Sequence, residues 1–176
     1  MEMKIPSGSG MTQEEYKLVP IDGASVYIFG YDVAISGDTA IIGSPYNDDM
    51  GSHSGYVYVF IIRYKGTWEE VHKITPANGE ASDYFGWSVA ISGNTDVIGA
   101  RFDNERGRYG GSGYVYTKID GKWTEDVNTL PENGAATEKF GYSVAISGST
   151  ALFGAPLAGE ENGGTAYIVD DLFVPC

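Results

Sequence analysis

Residues able to do covalent chemistry are few in this 176-residue chain. It has two histidines, His53 and His72, and one cysteine, Cys176. Gly51-Ser52-His53-Ser54-Gly55 sets hydroxyls beside an imidazole. A serine nucleophile, however, needs a Gly-x-Ser-x-Gly elbow with a strand before it and a helix after it, and here histidine holds the central position. The two histidines are too far apart for a close-spaced metal pair, and no phosphate-cradling loop is present. Carboxylates are plentiful, but a glycosidase pair is recognised by its separation in space. Catalysis is not expected.

The residue types point instead to non-covalent recognition. Two stretches gather acids with aromatic rings or arginine, Tyr46, Asp48 and Asp49, and Phe102, Asp103, Glu105, Arg106 and Tyr109; a third, Glu160 with Glu161, is acidic alone. These are the candidate ligand-binding residues, and no catalytic residue or metal ligand is assigned. Asn47-Asp48-Asp49 offers oxygens to a cation, but the other stretches do not repeat its spacing. Calcium takes about six to eight oxygens. Trp68 and Trp123 can stack on sugars or pack at a rim, and their equivalent places in the repeat favour packing.

A repeat must position these groups. A Phe-Gly pair followed by an apolar run, a glycine-led turn and a second apolar run begins at Phe29, Phe85 and Phe140, a period of about 55 residues. The first strand of each unit is Val33–Ser36, Val89–Ser92 or Val144–Ser147. Gly37-Asp38, Gly93-Asn94 and Gly148-Ser149 follow, and glycine at the first central position predicts a type II′ hairpin. Thr39–Ile42, Thr95–Ile98 and Thr150–Phe153 are the second strands; Tyr56–Phe60, Tyr114–Thr117 and Thr165–Val169 are the third. Turns at Lys65-Gly66 and Asp120-Gly121 lead to fourth strands at Trp68–Ile74 and Trp123–Leu130. The apolar runs alternate little, as in strands covered on both faces. Asp96 breaks the pattern where Ala40 and Ala151 stand, and either reaches solvent or pairs with a base such as Arg101.

The expected fold is all-β: a β-propeller-type array of three four-stranded antiparallel blades. The units are about 29–74, 85–130 and 140–170, within a domain of residues 11–176; residues 1–10 are a small, polar leader expected to lack order. Pro20, Pro76 and Pro131 precede their Phe-Gly pairs by the same interval, so residues 14–20 echo a fourth strand and are expected to complete the last blade. Closed propellers have about four to eight blades. Three blades leave exposed apolar faces, and a homodimer of six blades is the expected remedy.

Phe29-Gly30 with Gly43-Ser44-Pro45, Phe85-Gly86 with Gly99-Ala100-Arg101, and Phe140-Gly141 with Gly154-Ala155-Pro156 resemble the FG-GAP repeat family, known from integrin-like β-propellers. The resemblance spans about residues 12–170 and implies a non-catalytic adhesion or binding module in an extracellular or cell-surface setting. Integrin-like members carry an Asp-x-Asp-x-Asp-Gly calcium loop between the first two strands. The turns here are too short for it, so no cofactor is expected and calcium is not carried over.

Strand order puts the long loops and the inter-unit linkers on one face, where nearly half of the 24 acidic side chains collect. That face is expected to recognise a protein or glycan. The alternatives are a lectin-like propeller and an accessory fragment of a larger surface enzyme. A net charge of −13 excludes nucleic acid, which needs a basic face, and no run of about 18 apolar residues predicts membrane insertion.

Overall fold

The computed structural model describes residues 3–6, 12–23, 27–105, 107–129 and 136–172. A first sheet contains, in order, β3 (Val33–Ser36), β4 (Thr39–Ser44), β5 (Tyr56–Ile62) and β6 (Trp68–Ile74). A second contains β7 (Phe85–Ser92), β8 (Thr95–Ala100), β9 (Ser112–Ile119) and β10 (Lys122–Thr129). The third contains β11 (Ser143–Ser147), β12 (Thr150–Ala155) and β13 (Thr165–Val169). Neighbouring strands within these sheets are antiparallel and follow one another along the chain, so each sheet is an up-and-down blade.

The hairpins follow from turn chemistry. Ser36 pairs with Thr39 across Gly37-Asp38, and Gly37 has φ +58°, as the first position of a type II′ turn requires. Asp120 and Gly121 both have positive φ between paired Ile119 and Lys122, the type I′ solution. The Lys65-Gly66 connection is instead a single 3₁₀ turn over Tyr64–Gly66.

The sheets stack face to face. Ile41, Val57 and Val59 of the first sheet pack on Phe85, Val89 and Tyr114 of the second. Val97 and Val115, on the second sheet's other face, pack on Phe140 and Phe153 of the third. Burying an aliphatic or aromatic side chain of this kind stabilises by about 1.5–3 kcal/mol. The middle sheet is thus covered on both faces, as its unbroken apolar runs require. β3 and β11 belong to the outer sheets and keep alternating exposure.

The Phe-Gly pair is a joint between sheets. Phe85 donates its backbone N–H to the Ser54 carbonyl at 3.0 Å, and Phe140 donates to that of Gly110 at 2.8 Å. Both rings are buried, edge-on to Tyr114 at 5.2 Å and Tyr167 at 5.3 Å. Linker and loop are tied at the same end: Tyr84 N–H bonds to the His53 carbonyl and Lys139 N–H to that of Tyr109.

Two N-terminal expectations are corrected. Within residues 1–10, Met3–Pro6 forms β1, paired with β2 (Thr12–Glu15); the rest of that stretch lies outside the described residues. β2 therefore sits in its own hairpin and does not pair with β13, leaving the third sheet with three strands where four were expected. A hairpin within the N-terminal segment satisfies the β2 backbone locally, without the long closure that pairing with β13 would need.

An acidic, aromatic loop face as candidate functional site

In the first unit, the loop after β4 and the linker before β3 form a cleft filled by a cation from β6. Lys73 pairs with Asp22 and, at 3.4 Å, with Asp49, its ammonium lying 4.6 Å from the Tyr56 ring centroid and 5.0 Å from that of Tyr58. Burial works against the lysine charge, but the Asp22 hydrogen bond and the surrounding negative groups outweigh it and hold its pKa above the usual range. Burial similarly opposes the Asp22 charge, and Lys73 overcomes it, so that carboxyl lies below its ordinary value. Tyr58, buried beneath them, is pushed up to about 12 despite Lys73.

Asn47-Asp48-Asp49 is committed to its own turn. Asn47 is fully buried, accepts the Asp49 N–H at 2.9 Å and donates to the Tyr58 hydroxyl at 3.3 Å. Asp48 accepts the His53 N–H at 2.7 Å. This is a side-chain-stabilised turn rather than a cation loop.

Among the described residues, the second unit repeats the cleft without the lysine. The strand register aligns Asn128 with Tyr114 where Lys73 aligns with Tyr58. Asn78, Glu80, Asp83, Asp103, Asn104 and Glu105 line a cleft of about 240 Å³. At its base, Asp103 accepts the Tyr114 hydroxyl at 2.6 Å and Asp83 accepts the Glu80 N–H at 2.6 Å. Burial, reinforced by Asp103, Glu80 and Glu105, pushes Asp83 up to about 7 against that N–H bond. Such a concentration of negative charge on partly buried walls attracts a cation.

Beside the clefts runs an aromatic tract. Tyr46 meets Tyr84 at 5.3 Å, Tyr84 meets Phe102 at 5.3 Å, and Phe102 meets Tyr109 at 5.0 Å. Arg101 takes the place held by Pro45 and Pro156 and lies over Trp87, 3.2 Å from the ring centroid, and over Phe102 at 4.2 Å. Tyr31, Trp87 and Tyr142, which follow the three Phe-Gly pairs, form a row, with centroids 4.3 and 6.0 Å apart.

Of the sequence candidates, Tyr46, Phe102 and Tyr109 share this tract, Asp103 and Glu105 share the second cleft, and Asp49 belongs to the first. Arg106 lies outside the described residues. Glu160 and Glu161 sit exposed on a 3₁₀ turn of the third unit, in neither cleft. Sequence reasoning missed Lys73, and it placed Asp83 on the acidic face without naming it a binding candidate. The signal for Lys73 was a lone basic residue on a strand next to the acidic loops. Trp123 packs as expected at the rim, stacked on His72 at 5.4 Å. Asp96 neither reaches solvent nor meets Arg101; Trp123 Nε1 donates to it at 2.7 Å.

Blades of antiparallel strands stacked through repeated Phe-Gly joints, with long loops gathered at one end, define a β-propeller-type repeat protein. The FG-GAP repeat family matches residues 12–60, 68–116 and 123–169, and the chain belongs to that family. Its repeats are typically non-catalytic. Each matched unit starts at the fourth-strand position, so β2 corresponds to the beginnings of β6 and β10. No helix among the described residues is long and apolar enough to cross a membrane.

Proposed function

We propose that the chain is a non-catalytic binding module of an extracellular or cell-surface protein, and that its second-unit acidic cleft takes a lysine or arginine side chain of a protein partner. The observation that supports this is the pair of equivalent clefts. In the first, an ammonium rests between carboxylates and tyrosine rings. In the second, four carboxylates and two asparagines line the same place, with no lysine or arginine among the described residues that line it. A side chain entering there meets Glu105 and Tyr114 where Lys73 meets Asp49 and Tyr58, with Asn78 in place of Asp22 and Ser112 in place of Tyr56. The aromatic tract beside it offers apolar contact to flanking residues.

The test is titration of the chain with lysine-containing and acidic peptides in parallel, with a glycan array beside them. Binding of the basic peptide is expected, weakening as salt rises. Replacing the exposed rim carboxylates together, Glu80→Gln and Glu105→Gln, is expected to reduce affinity about tenfold or more. Binding to glycans with none to basic peptides would replace this reading with a lectin-like one.

A further inference from the structure

Both internal joints between sheets use one set of contacts, half on each side. On the trailing side of the first sheet, the Ser36 hydroxyl accepts the Gly93 N–H at 3.1 Å, and Gly43 lies so close to the Gly86 carbonyl that a Cβ would overlap it. The second sheet repeats this: Ser92 accepts the Gly148 N–H at 3.2 Å, and Gly99 lies against the Gly141 carbonyl. The third sheet carries the same half again in Ser147 and Gly154, yet a Cβ on Gly154 would meet only Ser143 of its own sheet. The matching half on the leading side of the first sheet is also open, since a Cβ on Gly30 would meet nothing, whereas its counterparts Gly86 and Gly141 are crowded by the preceding sheet.

Burial shows the third sheet's far face open and the first sheet's leading face open along β3, the rest of that face (Ala40, Ile42, Tyr58 and Phe60) being buried with Leu18, Phe29 and Trp68 packed on it. Val33 is 63% exposed where Val89 is 5% exposed. Leu152 is 41% exposed where Ile41 and Val97 are fully buried, and Ile168 is 67% exposed where Val115 is 2% exposed. The N-terminal segment already holds the place of a preceding sheet's fourth strand. Leu18 packs on the first sheet's leading face as Ile74 packs on the second's. Ile21 N–H bonds to Glu70 at 2.8 Å as Ala77 N–H bonds to Glu125 at 3.0 Å. β13, meanwhile, has no partner on its outer edge among the described residues.

We infer that the two open faces are filled by a second copy of this chain, the third sheet of one copy receiving the first sheet of the other. The faces are different halves of one joint, so the contact is head-to-tail, and such contacts form a ring when the rotation closes. Two copies supply six sheets, within the range of about four to eight blades that closed propellers use. The N-terminal strand of each copy then runs beside the outer edge of the other's β13. Both acidic loop faces point to the same side of the ring.

The experiment is light scattering over a range of chain concentrations, with wild type, Leu152→Lys and Val33→Lys. Both substitutions are at exposed positions in the single chain, and thermal melts confirm that each variant folds; Ile168→Lys stands in for Leu152→Lys if it does not. Wild type is expected at twice the chain mass. Each variant alone is expected at the mass of one chain. Mixed in equal amounts, the variants are expected to recover a two-chain species, because each brings the intact face the other lacks. Wild type at single-chain mass throughout would overturn the inference, leaving the faces to blades from another source. So would growth without limit, or a dimer lost in Leu152→Lys but kept in Val33→Lys, since that would be a pairing of third sheets.

Discussion

Trp123 and Asp96 are joined across an intervening strand: the indole of β10 reaches over β9 and donates to the carboxylate of β8 at 2.7 Å. The first sheet has Trp68 and Ala40 at these places, so the carboxyl is an addition to a site that is otherwise apolar. Burial pushes Asp96 up to about 7 from an ordinary 3.8, with the indole N–H and Lys118 pulling weakly the other way. The folded chain therefore binds this proton more tightly than the unfolded chain. The associated stability is full below about pH 4 and is lost as pH rises through about 7. Asp83, also raised to about 7, acts in the same direction. Urea denaturation is expected to show lower stability at pH 8 than at pH 5. Asp96→Asn keeps an acceptor for the indole and is expected to gain about 1–2 kcal/mol at pH 8 while flattening part of the slope. Burial lowers the His72 pKa, which acts the other way over this range. The decisive comparison is therefore between the two chains: an equal pH dependence in wild type and Asp96→Asn would show that the ionised carboxylate is accommodated.

Lys73→Met tests the equivalence of the clefts. The pairs with Asp22 and Asp49 are partly exposed, so the stability cost is expected to stay below about 1 kcal/mol and to vanish in high salt. The larger effect is on binding. With its own ammonium gone, the first cleft is expected to accept a basic peptide side chain, and calorimetric stoichiometry should rise from about one site per chain to about two. Unchanged stoichiometry would mean that the clefts are not functional equivalents.

Much of the scaffold was legible because its signals are local. Gly37 and Asp120-Gly121 announce their turns through the φ that only certain residues tolerate. The strands overran their expected ends at Gly43, Gly99 and Gly154, where the apolar run stops but backbone pairing continues to Ser44, Ala100 and Ala155. Side-chain partners across strands were not legible. Nothing in the order of residues near Asp96 favours Trp123 over Arg101, because that contact depends on register and on which sheet face each occupies. The same holds for the candidate site: Asp49 and Asp103 have loop positions that spacing reveals, whereas Lys73 enters from a strand distant in sequence. The N-terminal strand was recognised by its echo of β6, but an echo carries no information about its pairing partner.

Calcium is expected to leave the melting temperature unchanged. Among the described residues, no group of three or more histidine, cysteine, aspartate or glutamate side chains is arranged to hold a metal. In the second cleft, Asp83 and Asp103 already spend oxygens on Glu80 N–H and the Tyr114 hydroxyl. Calcium would need about six to eight oxygens in one shell. A rise of several degrees saturating below about a millimolar would reassign that cleft to a metal ion.

Gly99 and Gly154 occupy the same place in consecutive sheets and differ only in what lies across from them. At Gly99 that is the Gly141 carbonyl of the third sheet, together with the Ser88 hydroxyl, which itself donates to Gly141 at 2.9 Å. A methyl group there must push two sheets apart, and Gly99→Ala is expected to destabilise the chain by about 3 kcal/mol. At Gly154 the nearest obstacle is the Ser143 hydroxyl, which can rotate away. Gly154→Ala is therefore expected to cost under about 1 kcal/mol in the single chain, measured by urea denaturation at concentrations where it is monomeric. If a second copy docks on the third sheet as the first sheet would, that methyl group meets its Gly30 carbonyl, and the same mild substitution should abolish the two-chain species. Retention of the dimer in Gly154→Ala would show that the third sheet does not form the joint its glycine is shaped for.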